Sequence, residues 1–274
     1  MSTTITAADI NKLRQTTGAG MLDCRKALTE SNGDFEAAID WLRKQGQKVA
    51  AKRSDREAKE GVVIAQTTAD GKSGIVLCIS CETDFVSKNA EFVAFAQSIA
   101  DAAIANNVKT AEELNAVTVN GSTVEQMIND KLAAIGEKIA ITKFERVDAP
   151  YVASYIHGAN RMGVLVAMTK AAPEAGKDVA MQIAAMNPLA VDETSISQEI
   201  KDREKAIAIE MIKAEGKPAE MAEKIADGKM NKFFKENTLM AQAFVKDNSK
   251  SVADYLKNID TDLKVTDFKR VALG

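Results

Sequence analysis

Cys78 and Cys81, in Cys78-Ile79-Ser80-Cys81, are the one pair in this chain spaced like a metal or redox site. A structural zinc site needs about four ligands, and the chain adds only one further cysteine, Cys24, and one histidine, His157. The pair also falls in an apolar, β-branched run, where residues three apart point to opposite faces of a strand. Core or surface thiols are the expectation. His157 would have to carry any histidine chemistry, yet Tyr155-Ile156-His157-Gly158 places no acid beside it to orient the ring. It is either a plain hairpin histidine or a polar contact for a partner. Thr17-Gly18-Ala19-Gly20 has the glycines of a phosphate loop, but no Gly-Lys-Ser/Thr follows and no strand precedes it. A sharp turn between helices suits it better. No set of titratable groups converges, so the chain is expected not to be an enzyme and to hold no metal, cofactor or nucleotide of its own.

The most informative stretch is Cys81-Glu82-Thr83-Asp84-Phe85-Val86-Ser87-Lys88-Asn89. Before it, Gly74-Ile75-Val76-Leu77-Cys78-Ile79 is a short apolar run bounded by turn residues, which predicts a strand. After it, Ala90 to Ile99 carries Phe92, Phe95 and Ile99 at helical spacing. Phe85 therefore falls in the connection, among polar neighbours, where chains normally face water. A turn aromatic either folds back into the core, the commoner outcome, or stays exposed to enter something else.

These elements need a body. At 274 residues and 46% hydrophobic content the chain can bury a real core and divide into two or more domains. A formal net charge of -3 argues against a general nucleic-acid binder. No apolar run approaches the roughly 20 residues of a membrane helix, and the amino terminus, Met1-Ser2-Thr3-Thr4-Ile5-Thr6, lacks the pattern of a signal peptide. Three cysteines make a disulfide scaffold improbable. The economical expectation is a cytoplasmic protein with free thiols.

Residues 1–46 read as a three-helix unit. Thr6 and Asp9 fit a capping box for a helix through Leu13, Met21 to Leu28 form a second helix, and Asn32-Gly33-Asp34 turns into a third with Phe35, Ala38, Ile39 and Leu42 on one face. Residues 47–60 continue a stretch rich in Lys and Arg, from Arg43 to Glu60, with almost no large apolar side chains. It is expected to be a solvated linker, and without interleaved aromatics it makes a poor RNA contact. The remainder repeats. Ile141-Thr142-Lys143-Phe144-Glu145-Arg146-Val147 returns as Val265-Thr266-Asp267-Phe268-Lys269-Arg270-Val271, Gly74-Ile75-Val76-Leu77 as Gly163-Val164-Leu165-Val166, and Ser122-Thr123-Val124 is echoed by Lys250-Ser251-Val252. Two α+β sub-domains with antiparallel sheets, 61–149 and 150–274, are expected. Hairpin turns lie at Ala69-Asp70-Gly71 and Gly158-Ala159-Asn160. The second half carries an insertion at about 192–237, read as a helical-hairpin coiled coil. Its seam is Ile196, Ile200, Ile207 and Met211 against Met221, Ile225 and Phe233, broken at Gly216-Lys217-Pro218.

Three of these segments together resemble the bacterial elongation factor Ts family: Leu13 to Leu28, Thr83-Asp84-Phe85-Val86 with Lys88 behind it, and Ser154 to Val166. The resemblance runs in family order through essentially the whole chain. It implies a guanine-nucleotide exchange factor for elongation factor Tu, with an amino-terminal triad like the ubiquitin-associated fold and a protruding helical arm. It further implies that Thr83, Asp84, Phe85 and Val86 enter the partner's GTPase domain near its magnesium and phosphate loop. Met21, Leu22, Arg25 (where a lysine is more usual), Ile135, Gly136 and His157 match further contact positions, and the second sub-domain would reach another domain of the partner. Longer family members continue past Val271-Ala272-Leu273-Gly274 into a terminal helix that touches the GTPase domain. A non-catalytic binding module using the three-helix unit alone is the alternative.

Overall fold

The computed structural model describes residues 4–53, 55–216 and 218–274. Met1, Ser2 and Thr3, on which the signal-peptide reading leans, and Lys217, in the expected helix break, lie outside the described residues. Three helices open the chain: α1 (Ala7–Thr17), α2 (Met21–Glu30) and α3 (Phe35–Lys52). Thr6 and Asp9 form the expected capping box, but α1 runs about one turn beyond Leu13 before Gly18, at φ 70°, stops it. Asp34 caps α3, accepting from the Ala37 N–H at 2.9 Å. Leu13, Cys24, Ala27, Leu28, Ala38 and Leu42 close a small core between the three.

α3 does not give way to a solvated linker after Gly46. It continues to Lys52, and Val49 packs on the main core. A Cβ added at Gly46 would lie 2.8 Å from the Cβ of Ala133, so the helix backbone rests closely on a later helix. Counting apolar residues hides this, because a helix needs only one narrow packed stripe. The linker's arginines are engaged as well. Arg53 reaches Glu82 at 2.7 Å and Arg56 reaches it at 3.6 Å.

The next elements are β1 (Glu60–Thr67), β2 (Ser73–Cys81), α4 (Asp84–Ser87), α5 (Ala90–Ala105), α6 (Ala111–Ala116), the short pair β3 (Thr118–Val119) and β4 (Ser122–Thr123), α7 (Val124–Ile135) and β5 (Ala140–Asp148). There follow β6 (Tyr151–His157), β7 (Met162–Met168), α8 (Pro173–Met186), α9 (Gln198–Ala214), α10 (Ala219–Asn237), β8 (Ala243–Phe244), β9 (Asp247–Ser251), α11 (Val252–Ile259) and β10 (Val265–Ala272). One sheet has the order β1-β2-β5 and another β10-β7-β6, antiparallel throughout. The class is α+β with antiparallel sheets, as expected.

The central strands show how the layers stack. On β2, Ile75, Leu77, Ile79 and Cys81 face a core shared with α5 and α7, including Phe92, Ile99, Val124 and Leu132. The alternate residues Val76 and Cys78 face the other sheet, meeting Leu165 and Ala167 of β7. Val164, Val166 and Met168 point the opposite way, to Val179 and Ile183 of α8 and Leu256 of α11. Each central strand is buried on both sides, so its sequence is a continuous apolar run. The sheets approach closely where Gly163 sits: an added Cβ would lie 2.9 Å from side-chain atoms of both Val63 and Val76. Cys78 and Cys81 are accordingly in different cores, facing opposite sides of one strand.

α9 and α10 pack on each other only partly through the expected seam. Ala208, Ile212, Ala222 and Ala226 are buried between them and Ile225 of the expected stripe packs against that cluster, while Ile207, Met211 and Met221 are exposed. Alanines let two helix backbones approach more closely than a seam of isoleucine and methionine would permit. Ile207, Met211 and Met221 are displaced to the flanks.

Candidate functional site

At Cys81 the chain leaves β2, and Thr83 opens α4 in an extended conformation (φ -124°, ψ 154°). α4 is a single turn of 4 residues. Phe85 stands on it 86% exposed, the most exposed large apolar side chain among the described residues. The commoner outcome for a turn aromatic does not hold: its neighbour Val86 is the residue that packs against the core. Asp84 pairs with Lys88 one turn on, at 2.7 Å, which holds its carboxyl below the usual range.

The turn is held from outside. The Glu137 carboxylate accepts from the Glu82 N–H at 3.1 Å and the Thr83 N–H at 3.0 Å, and from the Thr83 hydroxyl at 2.6 Å. In return Glu82 accepts from the Lys138 N–H at 2.7 Å and from Arg53 at 2.7 Å. That backbone bond, with Arg53 behind it, holds the Glu82 carboxyl low. The Cys81 thiol donates to the Thr83 carbonyl at 3.2 Å. Burial, helped by the charge of Glu137, pushes that thiol up to about 12. A thiol so rarely ionised makes a poor nucleophile.

A groove of about 890 Å³ runs beside the turn, between the opening helices and α7. Phe85, Val86 and Ile135 line it, with Asp23 and Lys26 of α2 on the facing wall. Ile135 ends α7 and Gly136, at φ 79°, caps it. They sit at a helix terminus. Met21, Leu22 and Arg25 are exposed on α2, Leu22 at 81%, and do not line the groove. His157 ends β6 exposed, its Nδ1 3.0 Å from the Tyr155 hydroxyl. The β6–β7 tip nevertheless belongs to the same end of the molecule. Arg161 pairs with Glu60 at 2.9 Å, and Glu60 is the β1 partner of Cys81, where β2 hands over to the Phe85 turn. The expected site residues thus share one end, divided between a groove wall, a helix face and a hairpin tip.

Sequence reasoning missed Glu82, Glu137, Arg53 and Arg56. Glu82 and Glu137 stand in the motif and beside Ile135-Gly136, but nothing in the spacing says that segments 54 residues apart meet.

The elongation factor TS family model matches residues 82–274. Elongation factor Ts of Christiangramia forsetii is 50% identical over 273 residues, covering 98% of this chain and 99% of that protein. That of Flavobacterium psychrophilum is 50% identical over 274 residues, covering 99% of each. That of Porphyromonas gingivalis is 44% identical over 272 residues, covering 98% of each. The chain belongs to the elongation factor Ts family, and so to the elongation factors of protein biosynthesis.

Proposed function

We propose that this chain is a guanine-nucleotide exchange factor that binds elongation factor Tu carrying GDP and loosens the nucleotide without a covalent step. It is then not an enzyme in the ordinary sense. It acts in the cytoplasm and engages neither nucleic acid nor membrane directly. The observation that carries the reading is Phe85: an aromatic ring left 86% exposed on a one-turn helix. Fully burying a phenylalanine releases roughly 1.5–3 kcal/mol, so the ring is a ready source of binding energy. On this reading Phe85 enters between helices of the GTPase domain, with Thr83 and Val86 shaping the turn. Asp84 and the adjoining backbone then disturb the magnesium and phosphate-loop groups that hold the diphosphate.

One ring is insufficient. A shift from 1:99 to 99:1 needs about 5.5 kcal/mol, so the rest must come from a wider interface. Met21, Leu22, Arg25, Ile135, Gly136 and His157 supply it, and the second half of the chain reaches another domain of the partner. Only the part of that energy that differs between nucleotide-bound and empty partner drives release. Coupling is reciprocal, so incoming nucleotide must in turn expel the factor. We further read the chain as a ubiquitin-associated-like triad at 1–46 and two copies of one α+β unit at 61–149 and 150–274. The matching strand orders β1-β2-β5 and β6-β7-β10 and the capping boxes opening α7 and α11 support that duplication. α9 and α10 are its coiled-coil insertion.

The test is stopped-flow release of fluorescent GDP from elongation factor Tu. Release should accelerate with factor concentration, and excess GDP should dissociate the complex. A stable complex that releases GDP no faster than the partner alone would reduce the chain to a binding module.

A further inference from the structure

We propose that Glu137, acting together with Glu82, is a positioning residue for exchange: a reciprocal carboxylate clamp that keeps Phe85 forward. This rests on the exchange reading above. It assigns work to two residues that need not touch the partner.

An exposed ring on a loose turn would collapse onto the nearest apolar surface, and such a surface lies beside it in Phe95 and Ile135 along the groove. α4 cannot resist this alone, since a single helical turn is far below the length at which a helix is stable by itself. It also lacks its own cap. A threonine at this position usually turns its hydroxyl to an N–H of the first turn, but Thr83 makes no such bond and donates to Glu137 instead, at 2.6 Å. One carboxylate thus gathers three donors from Glu82 and Thr83. Glu82, its side chain 13% exposed, gathers the Lys138 N–H and Arg53, with Arg56 at 3.6 Å. Each segment's carboxylate grips the other segment's backbone. Hydrogen bonds to charged groups are the strong ones, and two crossed sets fix the direction in which the chain leaves β2. Through Arg53, just past the end of α3, the clamp also ties the opening helices to the turn.

The consequence is a population effect. If the forward conformer falls to about a tenth of the molecules, apparent affinity for the partner falls about tenfold with every partner contact intact. The experiment uses the full chain, with Glu137→Ala and Glu137→Gln made alone and combined with Phe85→Ala. It reads the second-order rate of GDP release from elongation factor Tu, hydrogen exchange at the Glu82 and Thr83 amides, and melting temperature. Glu137→Ala should slow release about tenfold and speed exchange at both amides. Added to Phe85→Ala, it should slow release by less than about twofold, while the melting-temperature change is the same in both backgrounds. If Glu137→Ala does not fold, Glu137→Gln carries the same comparison, because an amide cannot accept all three bonds. Release at the wild-type rate in the Glu137 variants, with Phe85→Ala slow, overturns the clamp and leaves the exchange reading standing. An undiminished Glu137 effect in the Phe85→Ala background also overturns it, since the residue would not be acting through the ring. Wild-type release by Phe85→Ala itself removes the wedge and the clamp together.

Discussion

Phe85→Ala separates a side chain held for a partner from one held for the fold. Because the ring is 86% exposed, truncation removes almost no packing. A surface change of this kind shifts stability by no more than about 0.5 kcal/mol. For a chain of this size that is at most about 2 °C in melting temperature. Phe92 provides the control, fully buried beneath the same turn. Its truncation leaves a cavity and should cost about 3–5 kcal/mol. Exchange should show the reverse ranking. If the ring is buried in the complex, its loss removes about 1.5–3 kcal/mol, and at 1.36 kcal/mol per factor of ten GDP release should slow by about ten- to a hundredfold. Paired thermal melts and stopped-flow release of labelled GDP measure both quantities on the same preparations. A Phe85→Ala protein that melts as early as Phe92→Ala, or that releases GDP at the wild-type rate, would refute the reasoning.

Arg146 and Arg270 occupy matching positions in the internal repeat but not matching surroundings. Arg146 binds Asp148, Asn107, the Ser73 hydroxyl and the Val108 carbonyl, whereas the buried Nε of Arg270 has no hydrogen-bond partner. Arg146→Met should cost about 2–3 kcal/mol in denaturant melts and Arg270→Met no more than about 1 kcal/mol; equal losses would contradict this. Burial raises the Asp130 carboxyl above its ordinary 3.8, with Arg43 opposing. The folded state therefore holds that proton more readily than the unfolded chain, and stability from this group falls as pH rises from about 3.8 through the folded value. Asp130→Asn should raise the melting temperature at pH 7 and lose that advantage in acid. On the arm, Ile207→Ser or Met211→Ser should stay within about 0.5 kcal/mol of wild type, while Ala222→Leu, overpacking the α9–α10 contact, should cost about 1–3 kcal/mol.

Much of the fold was legible because the repeat and the turn residues report local choices. Gly74 to Ile79 could be read as a strand from its β-branched run, and Thr6 with Asp9 as a helix start, since neither depends on distant chain. Three features depended on tertiary packing and were misread or missed. α3 extends to Lys52 because Gly46 meets Ala133 across the fold, which no local composition records. The arm packs around Ile212 through three alanines, whose value lies in how closely backbones approach rather than in their own hydrophobicity. The Glu82–Glu137 clamp joins residues that sequence separates widely, and a carboxylate in a polar segment carries no mark of what it will bind. Phe85 lies between these cases. Its place in a polar connection was plain from sequence, but whether it faced inward or outward depended on Val86 filling the core beside it.

That last point explains why an exposed ring and a stiff body belong together. A wedge transfers energy to a partner only if pushing it back costs more than pushing it in. Retreat of Phe85 is opposed locally by the clamp, and globally because β2, from which it springs, is buried on both faces. The β6–β7 tip bearing His157 is fastened to the same strand pair: the Val63 N–H donates to the Asn160 carbonyl at 2.7 Å, and Arg161 pairs with Glu60. Phe85 and His157 therefore keep a fixed separation, and on the proposed exchange reading a partner that took the one would meet the other at that spacing. On that reading, binding energy won at the hairpin tip would be applied at Phe85 instead of being lost in bending the factor. This is why two sheets pressed together at Gly163 suit a protein whose proposed work is done by one side chain at their edge.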